Sequence, residues 1–250
     1  MSYLIIGASS GLGRELAYSF AKKGHNLTLV SRDKRDLVSI KSDLELRYEI
    51  NIKIIPLDFD NTEEIEKKLF KDEEIIKNLQ GILFPVGFMS ENDTVNLNKD
   101  DAKKLLNINF LSICFTISKF EEKFQEKYKK NKLLIVGFGS VSGLLGRDLN
   151  SNYAAAKRAL ESYFESLAFS KNNNIDVHFY ILGYLNTNLA FGHNLKLPIG
   201  NVSKLSEVVY KNKDKKFLKT YYPYYWNVIA LILKITPLTL ILKLKKLFNK

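Results

Sequence analysis

An α/β fold built on one doubly wound parallel sheet flanked by helices is what this sequence predicts, and three observations carry the prediction. Short apolar runs recur at Ser2–Ile6, Asn26–Val30, Ile54–Phe59, Gly81–Phe84, Lys132–Ser140 and Val177–Leu182, with stretches long enough for a helix between them. Strands alternating with helical patterns read as βαβ units, whose crossovers make a parallel sheet. The first run meets a glycine-rich turn and then a helical pattern, and 250 residues suit a single α/β domain with a sizeable core.

In the first unit, Gly7 permits the tight turn, Gly11 lets backbone approach a pyrophosphate and Gly13 lets the helix pack closely on its strand. Ser9, Ser10 and Leu12 complete this loop, and the helix behind it supplies amide donors and the positive end of a dipole. The fifth run, Lys132–Ser140, reads as a buried strand that delivers Ser140 at its carboxyl end, the edge at which open α/β sheets bind ligands. Thirteen positions later, Tyr153 and Lys157 stand four residues apart, on one face of a helix. A tyrosine titrates near about 10 in water, and a cation beside it favours the phenolate, so the pair is expected to exchange protons nearer neutral pH.

The spacing Gly7-x-x-x-Gly11-x-Gly13, together with Ser140, Tyr153 and Lys157, resembles the short-chain dehydrogenase/reductase family over about the first 190 residues. That resemblance implies a single Rossmann-type domain and an NAD(P)-dependent oxidoreductase that moves hydride between the nicotinamide and a carbonyl or secondary alcohol. By the same resemblance Ser140 hydrogen-bonds the substrate oxygen, Tyr153 gives or takes the proton, Lys157 holds the nicotinamide ribose, and Asn109 orders the water leading protons to solvent. Asn107 is the alternative for that last position. Arg32 stands where relatives using NAD carry an acidic residue, and its always-charged fork suits a 2′-phosphate, which implies NADP(H) rather than NAD(H). Asp33 faces the ribose instead if the turn is shifted.

Asp58 matches the aspartate placed beside the adenine at the end of the third strand, and Thr187 matches the threonine that contacts the carboxamide. Pro85-Val86-Gly87 departs from the Asn-Asn-Ala-Gly of relatives: Gly87 leaves room for the cofactor, but the asparagine braces are missing. A chain of this fold that binds cofactor without turnover, as a scaffold or redox sensor, is the other function class. Keeping Asn109, Ser140, Tyr153 and Lys157 together favours the enzyme.

Charge divides the chain unevenly. Residues 211–250 hold ten lysines against one aspartate, nine of the chain's eleven net positive charges. The catalytic domain is therefore expected over 1–200 and a helical extension over 201–250. Its aromatic run 221–226, apolar stretch, Pro237 and lysine-rich end fit a bilayer interface, while Lys234 and Pro237 interrupt any span. A peripheral contact with anionic membrane is expected; a second subunit or the chain's own domain are the alternative partners. The lysines accompany an apolar segment, so no nucleic acid is expected.

The tail also resembles that of bacterial family members acting on keto-sugars carried by polyprenyl phosphate, which implies a lipid-linked or long-chain substrate. The single Cys114 excludes an intrachain disulfide, and the absence of a charged-then-apolar leader predicts a cytoplasmic protein, peripheral on the inner face of the membrane. The sequence carries no metal-ligand cluster and no internal repeat.

Overall fold

A computed structural model describes residues 2–70, 73–127, 132–170, 174–186 and 198–248. Among these residues the strands are β1 (Ser2–Ile6), β2 (Asn26–Ser31), β3 (Ile52–Pro56), β4 (Leu79–Phe84), β5 (Leu133–Ser140), β6 (Ile175–Leu182) and β7 (Phe217–Tyr222). They form one sheet in the order β3-β2-β1-β4-β5-β6-β7, with every neighbouring pair parallel. The order reverses between β1 and β4, and at such a switch point a crevice opens beyond the carboxyl ends of the strands.

Alternation along the strands builds two cores. Leu4 and Ile6 of β1 face one side, covered by Ile113, Ile117 and Phe120 of α6 (Ser112–Lys127) and by Leu160 and Phe164 of α7 (Ser151–Phe169). Tyr3 and Ile5 face the other, under α1 (Gly11–Ala21), α2 (Lys34–Arg47) and α8 (Val202–Asn212). The fully buried β5 and β6 follow from this double cover, since a parallel strand between two helical layers has no polar face.

Three sequence expectations change. The third strand ends at Pro56, so Asp58 lies in the loop beyond it. Around Asn109 the helical stretch is interrupted: past α3 (Thr62–Leu69) and α4 (Glu73–Lys77), helix α5 (Lys99–Leu106) passes into a π-helical turn, Asn107–Leu111, and then into α6.

The boundary expected at 200 does not mark a break, because α8 packs beside α1 and β7 extends the sheet by pairing with β6. The aromatic run 221–226 is divided between core and surface. Tyr221 and Tyr222 end β7 and are buried, Tyr224 is 55% exposed, and Trp226, at the start of α9 (Trp226–Ile235), is 7% exposed. Part of the aromatic density that reads as an interface thus packs the sheet edge.

Candidate active site

The carboxyl ends of β1, β4, β5 and β6 open into a cavity of roughly 640 Å³. At one end, Gly7 has φ 97°, and a Cβ there would lie 2.7 Å from Val86 Cα. A Cβ on Gly13 would lie 1.9 Å from the Gly7 carbonyl oxygen, so α1 sits as close to β1 as backbone allows. Ser9, Ser10, Gly11 and Leu12 line the cavity. No side chain caps the start of α1, and Arg14 folds back to donate to the Ser9 carbonyl at 2.9 and 3.2 Å. An uncapped amino end with its positive dipole facing a cavity fits a diphosphate.

Arg32, exposed at the end of β2, and Ser31 line the same end. Asp33, the alternative ribose contact, is engaged elsewhere: its carboxylate caps α2 by accepting from the Asp36 amide at 3.1 Å. Asp58 lines the cavity too, its carboxylate accepting from the Asp60 amide at 3.1 Å. The amide donors of the glycine turn, the Arg32 cation and the Asp58 carboxylate thus line one end of the cavity.

At the other end stand Ser140, Tyr153 and Lys157. Ser140 ends β5; its hydroxyl accepts from the Ser142 amide at 3.1 Å and stands beside Tyr153 on the wall of the cavity. Lys157 is 4% exposed; its ammonium donates to the Phe138 carbonyl at 3.2 Å and lies 5.7 Å from the centre of the Tyr153 ring. Burial dominates the electrostatics. It pushes the Tyr153 phenol up to about 12, opposed only by the neighbouring Ser140 hydroxyl, and pushes Lys157 down to about 8. The expectation that the lysine lowers the phenol is therefore outweighed here by desolvation of both groups.

Asn109 sits fully buried in the π-helical turn. Its amide donates to the carbonyls of Phe88 (2.7 Å) and Leu105 (2.9 Å), and its oxygen accepts from the Phe88 amide at 3.1 Å. It does not line the cavity but holds a wall of it. A Cβ on Gly87 would lie 3.4 Å from the Asn109 oxygen and 3.9 Å from the Lys157 ammonium, so Gly87 lies where these two side chains come together. Asn107 only closes the turn, its carbonyl accepting from the Ser112 amide. Thr187 and His193 lie outside the described residues.

Two residues at this end escaped the sequence reading. Arg147 lines the cavity and reaches Ser142 at 3.5 Å. Asp93, 1% exposed, accepts from the amides of Asn152 (2.9 Å) and Tyr153 (2.8 Å) at the start of α7. In sequence Asp93 belongs to Ser90-Glu91-Asn92-Asp93-Thr94, which reads as an ordinary polar loop; no local signal reveals its partners some sixty residues on.

Comparison with known proteins places the chain in one family. The family model described as short chain dehydrogenase matches residues 2–196. The chain is 31% identical over 198 residues to a very-long-chain 3-oxoacyl-CoA reductase of Candida glabrata, covering 74% of this chain and 56% of the relative. It is 33% identical over 217 residues to an 11-beta-hydroxysteroid dehydrogenase-like 3 of Arabidopsis thaliana, covering 83% of this chain and 66% of the relative. The chain thus spans little more than half the length of the first of these. A short-chain dehydrogenase from Sphingobium yanoikuyae, solved with NADPH, has the same fold at a TM-score of 0.78 and 21% identity, over 95% of this chain and 96% of the other.

Proposed function

This chain belongs to the short-chain dehydrogenase family, and from that premise we propose that it is an NADP(H)-dependent oxidoreductase interconverting a carbonyl and a secondary alcohol. The observation that carries the reading is the meeting of Ser140, Tyr153 and Lys157 at one end of a cavity whose other end is the glycine turn. When bound, the dinucleotide supplies hydride chemistry.

The chain's own residues supply placement and the proton. The amides behind Gly7, Gly11 and Gly13 receive the diphosphate, Arg32 the 2′-phosphate and Asp58 the adenine side. Lys157 holds the ribose next to the nicotinamide, and Thr187 the carboxamide. Ser140 donates to the substrate oxygen, and Tyr153 delivers or removes the proton there. Asn109 keeps Phe88 in place beside the proton path. Burial of Lys157 and partial burial of Tyr153 lower the local dielectric and make each remaining interaction stronger.

Trp226 lies against Gly183 on the cavity rim, where a Cβ would come within 2.0 Å of the indole nitrogen, so its emission reports on NADPH by energy transfer. The test combines that signal with NADPH consumption against ethyl acetoacetate, a long-chain β-ketoacyl thioester and a keto-sugar. Turnover should be lost by at least a hundredfold in Tyr153→Phe, with NADPH binding kept. Binding with no turnover, indifferent to that substitution, would make the chain a cofactor scaffold.

Two further observations favour a lipid-borne substrate. Relatives are named for very-long-chain 3-oxoacyl-CoA, and the surface beside the cavity is apolar. Helices α9 and α10 (Leu238–Phe248) expose Val228, Leu231, Ile232, Leu238, Leu240 and Leu242, with Ile235 72% exposed. Lys234 and Lys243 stand among them, and residues 215–250 contain no acid. Among the described residues no helix is long and apolar enough to cross a membrane.

A monotopic contact with anionic lipid matches this surface, each lysine near the headgroups adding about 1 kcal/mol. Trp226 and Ala230 on the opposite face of α9 pack into the core, which fixes that contact beside the cavity rim. The substrate then enters from the membrane side as a lipid-linked sugar or a long-chain ketone. Flotation with phosphatidylglycerol vesicles should be lost in Leu231→Glu/Ile235→Glu; equal flotation of variant and wild type would refute the contact.

A further inference from the structure

We propose that Asp93 is a positioning residue for Tyr153: its carboxylate, supplied from outside the helix, sets the first turn of α7 and with it the place of the phenol. The first amides of any helix lack intrahelical acceptors and are usually satisfied by a side chain at the N-cap. In α7 the N-cap position is Asn150, whose backbone is left-handed (φ 59°, ψ 36°) and whose side chain makes no capping bond. Asp93 takes over that task from the loop after β4.

Its bonds are divided between the two oxygens. Oδ1 accepts from the Asn152 amide at 2.9 Å, from the Asn152 side chain at 2.8 Å and from the Ser151 hydroxyl at 3.5 Å. Oδ2 accepts from the Tyr153 amide at 2.8 Å. The Asp93 carbonyl accepts from the Asn150 amide at 2.6 Å, and the Asn152 side chain reaches on to the Thr94 carbonyl at 2.9 Å. A carboxylate that is 1% exposed and makes no ion pair among the described residues is compensated by these donors and by the positive end of the α7 dipole.

The same segment is pinned at its other end. Pro85 and Val86 have no side chain that hydrogen-bonds, but Phe88 is held through both its amide and its carbonyl by Asn109. Phe88 and Met89, which line the cavity, therefore lie on a short strap tied to Asn109 at one end and to the start of α7 at the other. Clamping the Tyr153 amide directly leaves the phenol no freedom to shift with a fraying first turn. The strap thereby does the work of the missing asparagine braces.

This inference rests on the reading of Tyr153 as the proton donor, and the test separates the two. In the full chain, Asp93→Ala should speed hydrogen exchange of the first α7 amides by about tenfold, the effect of a lost cap, with β5 and β6 unchanged. Asp93→Asn keeps Oδ1 and turns a donor toward the Tyr153 amide, so it should move the Tyr153 ring signal, identified by its loss in Tyr153→Phe, by less than Asp93→Ala does. Against whichever carbonyl of the panel is reduced, kcat should fall at least tenfold with the KM for NADPH within twofold, and Asp93→Asn should restore part of it.

An unmoved Tyr153 ring signal with wild-type exchange would overturn the proposal, as would a kcat that falls only in step with global unfolding. If Asp93→Ala does not fold, the ring signal in Asp93→Asn decides. If wild type reduces no carbonyl, the oxidoreductase reading fails while the exchange and ring signals still judge the positioning.

Discussion

Replacing Lys157 by Met should stabilise the protein at neutral pH, by an amount that fades as the solution is made alkaline. Lys157 is 4% exposed, and burial lowers its ammonium from 10.5 to about 8. In that window the unfolded chain binds a proton that the folded chain does not, so stability rises with pH between 8 and 10.5, and the cost of the buried charge is fully present below 8. At about 1.36 kcal/mol per unit, the drop corresponds to about 3 kcal/mol at pH 7 and less than about 1 kcal/mol at pH 10.

Methionine has nearly the same reach, so packing differences add a term that does not vary with pH. Urea unfolding of both proteins at pH 7, 8, 9 and 10 isolates the lysine, because tyrosines and Cys114 titrate alike in both. A stability difference that stays constant across this range, or widens toward pH 10, would refute the reasoning. Should the difference shrink as expected, the chain retains a lysine that weakens its fold, which is the signature of a group kept for binding rather than for stability.

Three other outcomes follow from the geometry. Gly183→Ala should force Trp226 off the rim, costing about 1–3 kcal/mol and shifting the indole emission; an unchanged spectrum and melting curve would show that α9 accommodates the methyl group. Arg32→Ala should weaken NADPH at least tenfold while leaving NADH nearly unaffected, measured by energy transfer from Trp226, and equal losses would remove the 2′-phosphate assignment. Asp33→Ala should leave the ratio of the two affinities unchanged and lower stability by about 1 kcal/mol in thermal unfolding, because its carboxylate caps α2; a swing toward NADPH would return it to the ribose.

The legible part of the site was the part encoded over short stretches of chain. The glycine turn is recognisable because strand, turn and helix are contiguous and each glycine answers a local steric demand, and Tyr153 and Lys157 share a face by helix periodicity alone. Ser140 was readable because a buried apolar run ends in it. Asn109 was readable through the family resemblance, though not as the tie that holds Phe88.

What the sequence by itself determined, then, was the fold class and the types of residue gathered at the carboxyl edge, since these depend on periodicity and on contacts within a single βαβ unit. Tertiary structure decided the rest: that Tyr221 and Tyr222 end β7 and Trp226 is buried, that burial outweighs the lysine in setting the phenol, and that Asp93 supplies the cap α7 lacks. Each of these is a choice among partners distant in the chain, settled by which groups are removed from water together, and no spacing along the chain records it.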